Sequence, residues 1–205
     1  MELFGVLTMN VIKWKNVLYI VLCLSAITSI FTWFVGEKVL SIGFVIECIG
    51  NSSTIIGVAT PIFCLKLWKY KMFQGWLVLI PDLNGIWQGT IKSNWINSET
   101  NQKIAPIETR LYIKQSLFKI SCVLKTSEST SRSIVASFVI EPENQVEKLA
   151  YIYQNDSSQK FRDKSPIHYG TTSLDIIKKK DNIKLIGSYW TDRNTSGDLE
   201  FNKKI

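Results

Sequence analysis

One histidine, His168, and four cysteines, Cys23, Cys48, Cys64 and Cys122, are all that the chain offers for imidazole or thiol chemistry. No two of them have the spacing of a metal site or suggest a disulfide framework. No nucleophile elbow, phosphate-cradling glycine loop or acidic metal triad is recognisable. The acidic residues mostly alternate with apolar ones, as on a strand surface. We therefore expect no catalytic residue, no metal and no turnover, which leaves binding chemistry. Two strings concentrate it: Leu83-Asn84-Gly85-Ile86-Trp87-Gln88-Gly89 and Gly187-Ser188-Tyr189-Trp190-Thr191-Asp192-Arg193-Asn194-Thr195-Ser196-Gly197. Both mix large rings with glycines and short polar groups, and the second carries a guanidinium. A carboxylate, Glu47, stands inside an otherwise apolar run.

The elements that must position these groups are of two kinds. Val17–Val35 is 19 residues without a charge, and at about 1.5 Å per residue it spans roughly 28 Å, close to a hydrocarbon core. A second span, about 45–66, is interrupted by Glu47 but runs uncharged for 18 residues from Cys48 to Leu65. The alternative, a signal peptide followed by a buried helix, fits less well: the first run is long for a signal core and no small-x-small cleavage site follows it. Lys13 and Lys15 precede the pair, Lys66, Lys69 and Lys71 follow it, and the tip Gly36-Glu37-Lys38 has no net charge. Positive flanks favour the cytoplasmic side, so both termini are expected inside. The three N-x-S/T matches at Asn51, Asn155 and Asn194 are then irrelevant to glycosylation. The net charge of +7 divides as +3 over residues 1–75 and +4 over 76–205, a mild surface charge that suits anionic lipid and not a nucleic-acid polymer.

Within the second span Gly43, Glu47, Gly50, Thr54, Gly57 and Pro61 recur at steps of four and three, which places them on one helical face. Small residues let helices approach closely in lipid. The stripe is either a self-association seam or the face that packs on Ser25, Ala26 and Ser29 of the first span.

Beyond Trp76 the period changes to two. Ile107–Lys114 and Phe118–Lys125 alternate apolar and polar residues, the signature of half-buried antiparallel strands. Eight strands are expected, near 85–96, 105–115, 117–126, 131–141, 146–154, 167–177, 182–191 and 197–203. Turns at Asn97-Ser98, Pro142-Glu143-Asn144, Asp181-Asn182 and Asn194–Gly197 separate them. This order predicts a membrane-anchored all-β protein: a two-helix transmembrane hairpin, 1–75, then a small eight-stranded antiparallel up-and-down β-barrel, 76–205, with a β-sandwich as the alternative.

Two membrane helices followed by a compact barrel, with the strings at 83–89 and 187–197, resemble the SMODS-associated two-transmembrane, β-strand-rich family of CBASS anti-phage effectors. The resemblance covers the whole chain. It implies a cytoplasmic barrel that binds a cyclic dinucleotide made by a partner nucleotidyltransferase. It further implies homo-oligomers that disrupt the bacterial inner membrane and kill the infected cell. Such a ligand needs aromatic faces for its bases and cationic or backbone donors for its phosphates. The candidates are Trp87, Tyr151, Tyr189, Thr191, Arg193 and Thr195, with Gly43, Glu47, Gly50, Thr54 and Gly57 as the self-association face. Trp87 is either a stacking platform or a floor plug. Arg193 either holds a phosphate or pairs with Asp192 or Asp198. Arg132 opens a strand near a barrel mouth, while Arg110 belongs to a polar outer face. His168 is more simply a satisfied strand residue than a ligand. Two other functions fit the pattern: a membrane-tethered carrier of an apolar ligand, whose interior would be aliphatic, and an adaptor whose barrel would be filled.

Overall fold

A computed structural model describes residues 11–36, 41–97, 101–163, 165–179 and 182–204. Glu37-Lys38 of the expected helical tip, Ser98 of the first expected turn, and Lys180-Asp181 lie outside the described residues. The chain forms two compact units that divide after Pro81.

The first unit holds two long helices, α1 (Trp14–Gly36) and α2 (Ile42–Leu65), each long and apolar enough to cross a membrane. They begin three residues earlier than the expected spans, and α2 is capped by Ser41, whose Oγ accepts from the Phe44 amide at 3.2 Å. Leu18, Leu22, Ile27, Phe31, Ile46 and Ile49 are exposed, so these are not the buried helices of a soluble core. Below them, residues 11–13 pair with 77–79 through Lys13 N to Leu77 O and Leu79 N to Val11 O, both 2.9 Å.

The seam between α1 and α2 corrects one expectation. Phe44, Cys48 and Ser52 form the buried face of α2. The Thr28 and Ser52 hydroxyls meet at 2.6 Å, and Asn51 Nδ2 donates to Thr32 Oγ1 at 3.2 Å. The glycine stripe therefore does not pack on the Ser25–Ser29 side of α1. Gly43, Glu47, Gly50, Thr54 and Gly57 are all exposed, and a Cβ added at Gly50 or Gly57 would meet no atom within 4 Å. The hydrogen bonds of Asn51 and Ser52 turn their face of α2 toward α1 and so rotate the small residues outward.

The second unit is a closed barrel. Its strands are β1 (Gly85–Ser93), β4 (Ile107–Gln115), β5 (Ile120–Lys125), β6 (Ser129–Glu141), β7 (Val146–Ser157), β8 (His168–Lys179), β9 (Asn182–Thr191) and β10 (Ser196–Lys203). Two short strands, β2 (Ile96–Asn97) and β3 (Gln102–Lys103), pair with each other in the β1–β4 connection. The ring order β1-β10-β9-β8-β7-β6-β5-β4 is antiparallel throughout, and the β1–β10 pairing closes it. Eight strands in meander order are the expected barrel, and the sandwich is set aside. Closure leaves no sheet edge unpaired.

One end is plugged. Gly85 takes φ +128, a conformation that favours glycine, as the chain turns into β1. Asn84 imitates a strand residue: its Nδ2 donates to Gln115 O at 3.0 Å and its Oδ1 accepts from Gln115 N at 2.7 Å. Leu83 N donates to Gln115 Oε1 at 2.8 Å, and Trp87 Nε1 to Leu83 O at 2.9 Å. Above this floor Leu111, Leu149, Leu174, Leu185, Leu199 and Phe201 fill the interior.

Candidate functional site

The interior changes character along its length. On the inward face of β7 the sequence runs Leu149, Tyr151, Tyr153, Asn155, Ser157, from apolar floor to polar mouth, and all five are buried. Neighbouring strands follow the same gradient, with Leu174 then Thr172 on β8, and Leu185 then Tyr189 and Thr191 on β9. The polar end encloses a cavity of about 510 Å³, within the roughly 300–1,000 Å³ of small-molecule sites. Its wall mixes the aliphatic side chains Ile91, Ile104, Ile107, Leu124 and Leu199 with converging tyrosine, threonine and arginine groups, so it is neither the purely aliphatic lining of an apolar carrier nor the filled interior of an adaptor. Among the described residues, no group of three or more His, Cys, Asp or Glu is arranged to hold a metal.

Tyr151, Tyr189, Thr191, Arg193 and Thr195 all line this cavity, so the fold gathers five of the six ligand candidates in one place. Trp87 is the exception. It is fully buried, spends its indole N–H on Leu83, lies under the Lys203 ammonium at 5.6 Å and does not reach the cavity. Of the two alternatives the sequence leaves open for Trp87, the geometry is that of the plug.

The β9–β10 turn is tightly built. Thr191 N donates to Thr195 O at 2.9 Å, the Thr191 and Thr195 hydroxyls lie 2.7 Å apart, and Asn194 takes a left-handed φ of +56. Neither Asp192 nor Asp198 pairs with Arg193. The Asp192 carboxylate instead accepts from the Tyr169 amide at 3.1 Å, and among the described residues the Arg193 guanidinium makes one hydrogen bond, from Nη1 to Ser165 Oγ at 3.1 Å. A guanidinium without a carboxylate partner, at a cavity mouth, suits an oxyanion.

Tyr151 and Tyr153 form the back of the cavity, with ring centroids 6.0 Å apart. Burial raises the pKa of both above the ordinary phenol value. The neighbouring Cys122 adds to the effect at Tyr151, and Tyr189 adds to it at Tyr153. Burial pushes the Cys122 thiol up to about 12. All three groups are therefore neutral hydrogen-bonding or packing surfaces at physiological pH.

Alternation places Tyr153 on the face of Leu149 and Tyr151, and Thr172 closes the polar and aromatic run His168–Thr172. The lining residues not apparent from the sequence are Asn155, Ser129, Ser131, Ser157, Trp95 and Glu128. Asn155 Nδ2 donates to Ser129 Oγ at 3.0 Å and Ser131 Oγ at 2.8 Å, knitting β7 to β6 inside the cavity. His168 also lines it, and its Nδ1 lies 3.0 Å from Pro166 O. Tyr169 and Arg132, by contrast, are exposed and do not line the cavity, which corrects the expectation that Arg132 reaches the mouth.

The family model of the Cap15 cyclic dinucleotide receptor domain matches residues 78–203. CD-NTase-associated protein 15 of Staphylococcus schleiferi is 29% identical over 190 residues, covering 93% of this chain and 92% of the relative. The protein of the same name in Escherichia albertii is 28% identical over 183 residues, covering 85% and 87%. Alignments of that length take in helices and barrel alike.

Proposed function

Because the chain belongs to the family of the Cap15 cyclic dinucleotide receptor domain, a family of CBASS effectors, we propose that the polar cavity is where it senses its messenger. The messenger is a cyclic dinucleotide from a partner nucleotidyltransferase. Tyr151 and Tyr189 offer rings to a base, Thr191 and Thr195 offer hydroxyls, and Arg193 meets a phosphate. Occupancy drives association of the membrane hairpins through the exposed Gly43, Glu47, Gly50, Thr54 and Gly57 face. The assembled helices then disrupt the bacterial inner membrane, with both termini on the cytoplasmic side, and the cell dies. In this reading the protein acts by assembly and turns nothing over.

One observation carries the proposal: a cavity of about 510 Å³ whose mouth holds a guanidinium free of any carboxylate, inside the segment that the family model matches. The direct test is calorimetric titration of the detergent-solubilised full chain with a panel of cyclic di- and trinucleotides. Micromolar or tighter binding to a dinucleotide, lost in Arg193→Ala, supports the reading. Absence of binding across the panel by folded protein rejects it. Dye release from vesicles carrying the full chain, dependent on the bound dinucleotide, tests the membrane step.

A further inference from the structure

The mouth of the barrel is electrically polarised, and the ring order shows how. The β9–β10 turn, with Arg193, and the β5–β6 turn, with Glu128, are separated by half the ring in either direction. Both side chains line the cavity, so a cation and a carboxylate face it from opposite sides. Among the described residues nothing pairs with the Glu128 carboxylate. The backbone of its turn is nonetheless held: Glu128 N donates to Thr126 Oγ1 at 3.2 Å, and Ser158 N to Glu128 O at 2.9 Å.

Asn155 stands on that same side and is only 8% exposed. Both protons of its amide are committed to Ser129 and Ser131, which leaves Oδ1 as the group it presents. Among the described residues the one hydrogen bond that Oδ1 receives is a long one, from Ser157 Oγ at 3.5 Å. An acceptor held this firmly in a buried wall is costly unless something donates to it. The β6–β7 side therefore offers two acceptors, an amide oxygen and a carboxylate, across from the one cation.

Resting on the reading that the cavity holds a cyclic dinucleotide, we propose that Asn155 and Glu128 read the base edge and select ligands whose base carries an amino group. Phosphate at Arg193 places the base against the opposite wall. Guanine presents N1–H and its amino group side by side, and the amino group of adenine or cytosine carries two N–H bonds, so each can donate to both acceptors there. Uracil presents two carbonyls and one N–H, so it sets oxygen against oxygen. A site built to accept from a ligand N–H discriminates strongly against an analogue that lacks it.

The test is titration of the full chain, wild type and Glu128→Gln, with cyclic di-GMP, cyclic di-AMP, cyclic GMP-AMP and cyclic di-UMP. The wild type should bind at least one amino-bearing ligand tenfold or more tightly than cyclic di-UMP. Glu128→Gln, an exposed change that spares the fold, should erode that ratio about tenfold and leave cyclic di-UMP within about twofold of its wild-type affinity. Asn155→Ser should act in the same direction. A wild-type preference for cyclic di-UMP, or an equal factor lost by every ligand in Glu128→Gln, overturns the proposal. If the folded wild type binds none of the four, the sensing function itself falls and this inference falls with it.

Discussion

Tyr153 on β7 lies over Gly170, its registered partner on β8, so closely that a Cβ at residue 170 would collide with the phenol hydroxyl. The relation repeats around the ring: Tyr189 covers its partner Gly197, and Phe201 covers Gly89. Each bulky inward ring leans across the neighbouring strand, and a glycine leaves it the room. Tyr153 and Tyr189, two of the three tyrosines that line the cavity, are therefore aimed by residues that contribute no side chain.

Gly170→Ala tests that aim. The added methyl meets Tyr153 and the Trp190 carbonyl, and backbone cannot yield as a side chain tip does. Overpacking of this kind costs about 1–3 kcal/mol. Denaturant unfolding of the full chain should show that loss, and calorimetry should show weaker ligand binding, because Tyr153 must swing into the cavity.

Trp87 should separate floor from site. Trp87→Ala removes a fully buried indole and should cost about 3–5 kcal/mol. Trp87→Phe keeps most of the packing but orphans the Leu83 carbonyl, for about 1–3 kcal/mol. Ligand affinity should be unchanged in the Phe variant. A large affinity loss without a stability loss would place Trp87 in the site after all.

The barrel itself was legible in the period-two strands, and the helices in two uncharged runs, because burying one face imposes a pattern on sequence. The same rule explains what was hidden. The expected strand 146–154 continues to Ser157, and the expected start at 131 is really Ser129. In both places the inward residues turn polar because they line a cavity, so alternation of hydrophobicity fades where the site begins. Asn155, visible in the sequence only as a glycosylation match, is one of the residues so concealed. Tyr189, Thr191, Arg193 and Thr195 were legible because they fall in one compact turn-bearing string. Exposure of the glycine stripe could not be read from helical periodicity, since the hydroxyl and amide pairs at Thr28–Ser52 and Thr32–Asn51 set the rotation of α2.

Alkaline pH should loosen the barrel, whereas neutral pH should not. Cys122 is raised by burial from 9.0 to about 12, and Tyr151 and Tyr153 are raised by burial above 10.0. A raised pKa means that the folded state holds its proton more tightly than the unfolded state. The stabilisation is complete below the unfolded pKa and is lost as pH climbs toward the folded one. Unfolding free energy should be insensitive to these groups through neutrality and decline from about pH 9 upward. Of the seven tyrosines, the two buried ones should yield phenolate absorbance only as the barrel opens.

Arg193 should give the site its salt dependence. Arg193→Ala removes a charged hydrogen-bond donor, worth about 1.5–3 kcal/mol, or roughly ten- to a hundredfold in affinity. Arg193→Lys keeps the charge but not the fork and should recover only part of the loss. Wild-type affinity should fall as salt rises, and the Ala variant should be much less sensitive. Equal salt dependence in both would move the phosphate contact elsewhere.

The last expectation concerns the membrane face. Gly50 is exposed, and no atom lies within 4 Å of an added Cβ, so Gly50→Leu is accommodated by the single hairpin. Any defect it causes must arise between chains. Close helix approach in lipid depends on small residues, and Leu at the centre of the stripe holds neighbouring backbones apart. Gly50→Leu should therefore abolish ligand-dependent dye release and killing while leaving calorimetric binding unchanged. Ser52→Val, which breaks the hydroxyl pair with Thr28 inside one hairpin, should weaken the hairpin by only about 0.6 kcal/mol and spare killing. If Gly50→Leu kills as well as wild type, the stripe has no part in assembly, and the exposed aliphatic faces of α1 and α2 become the place to look.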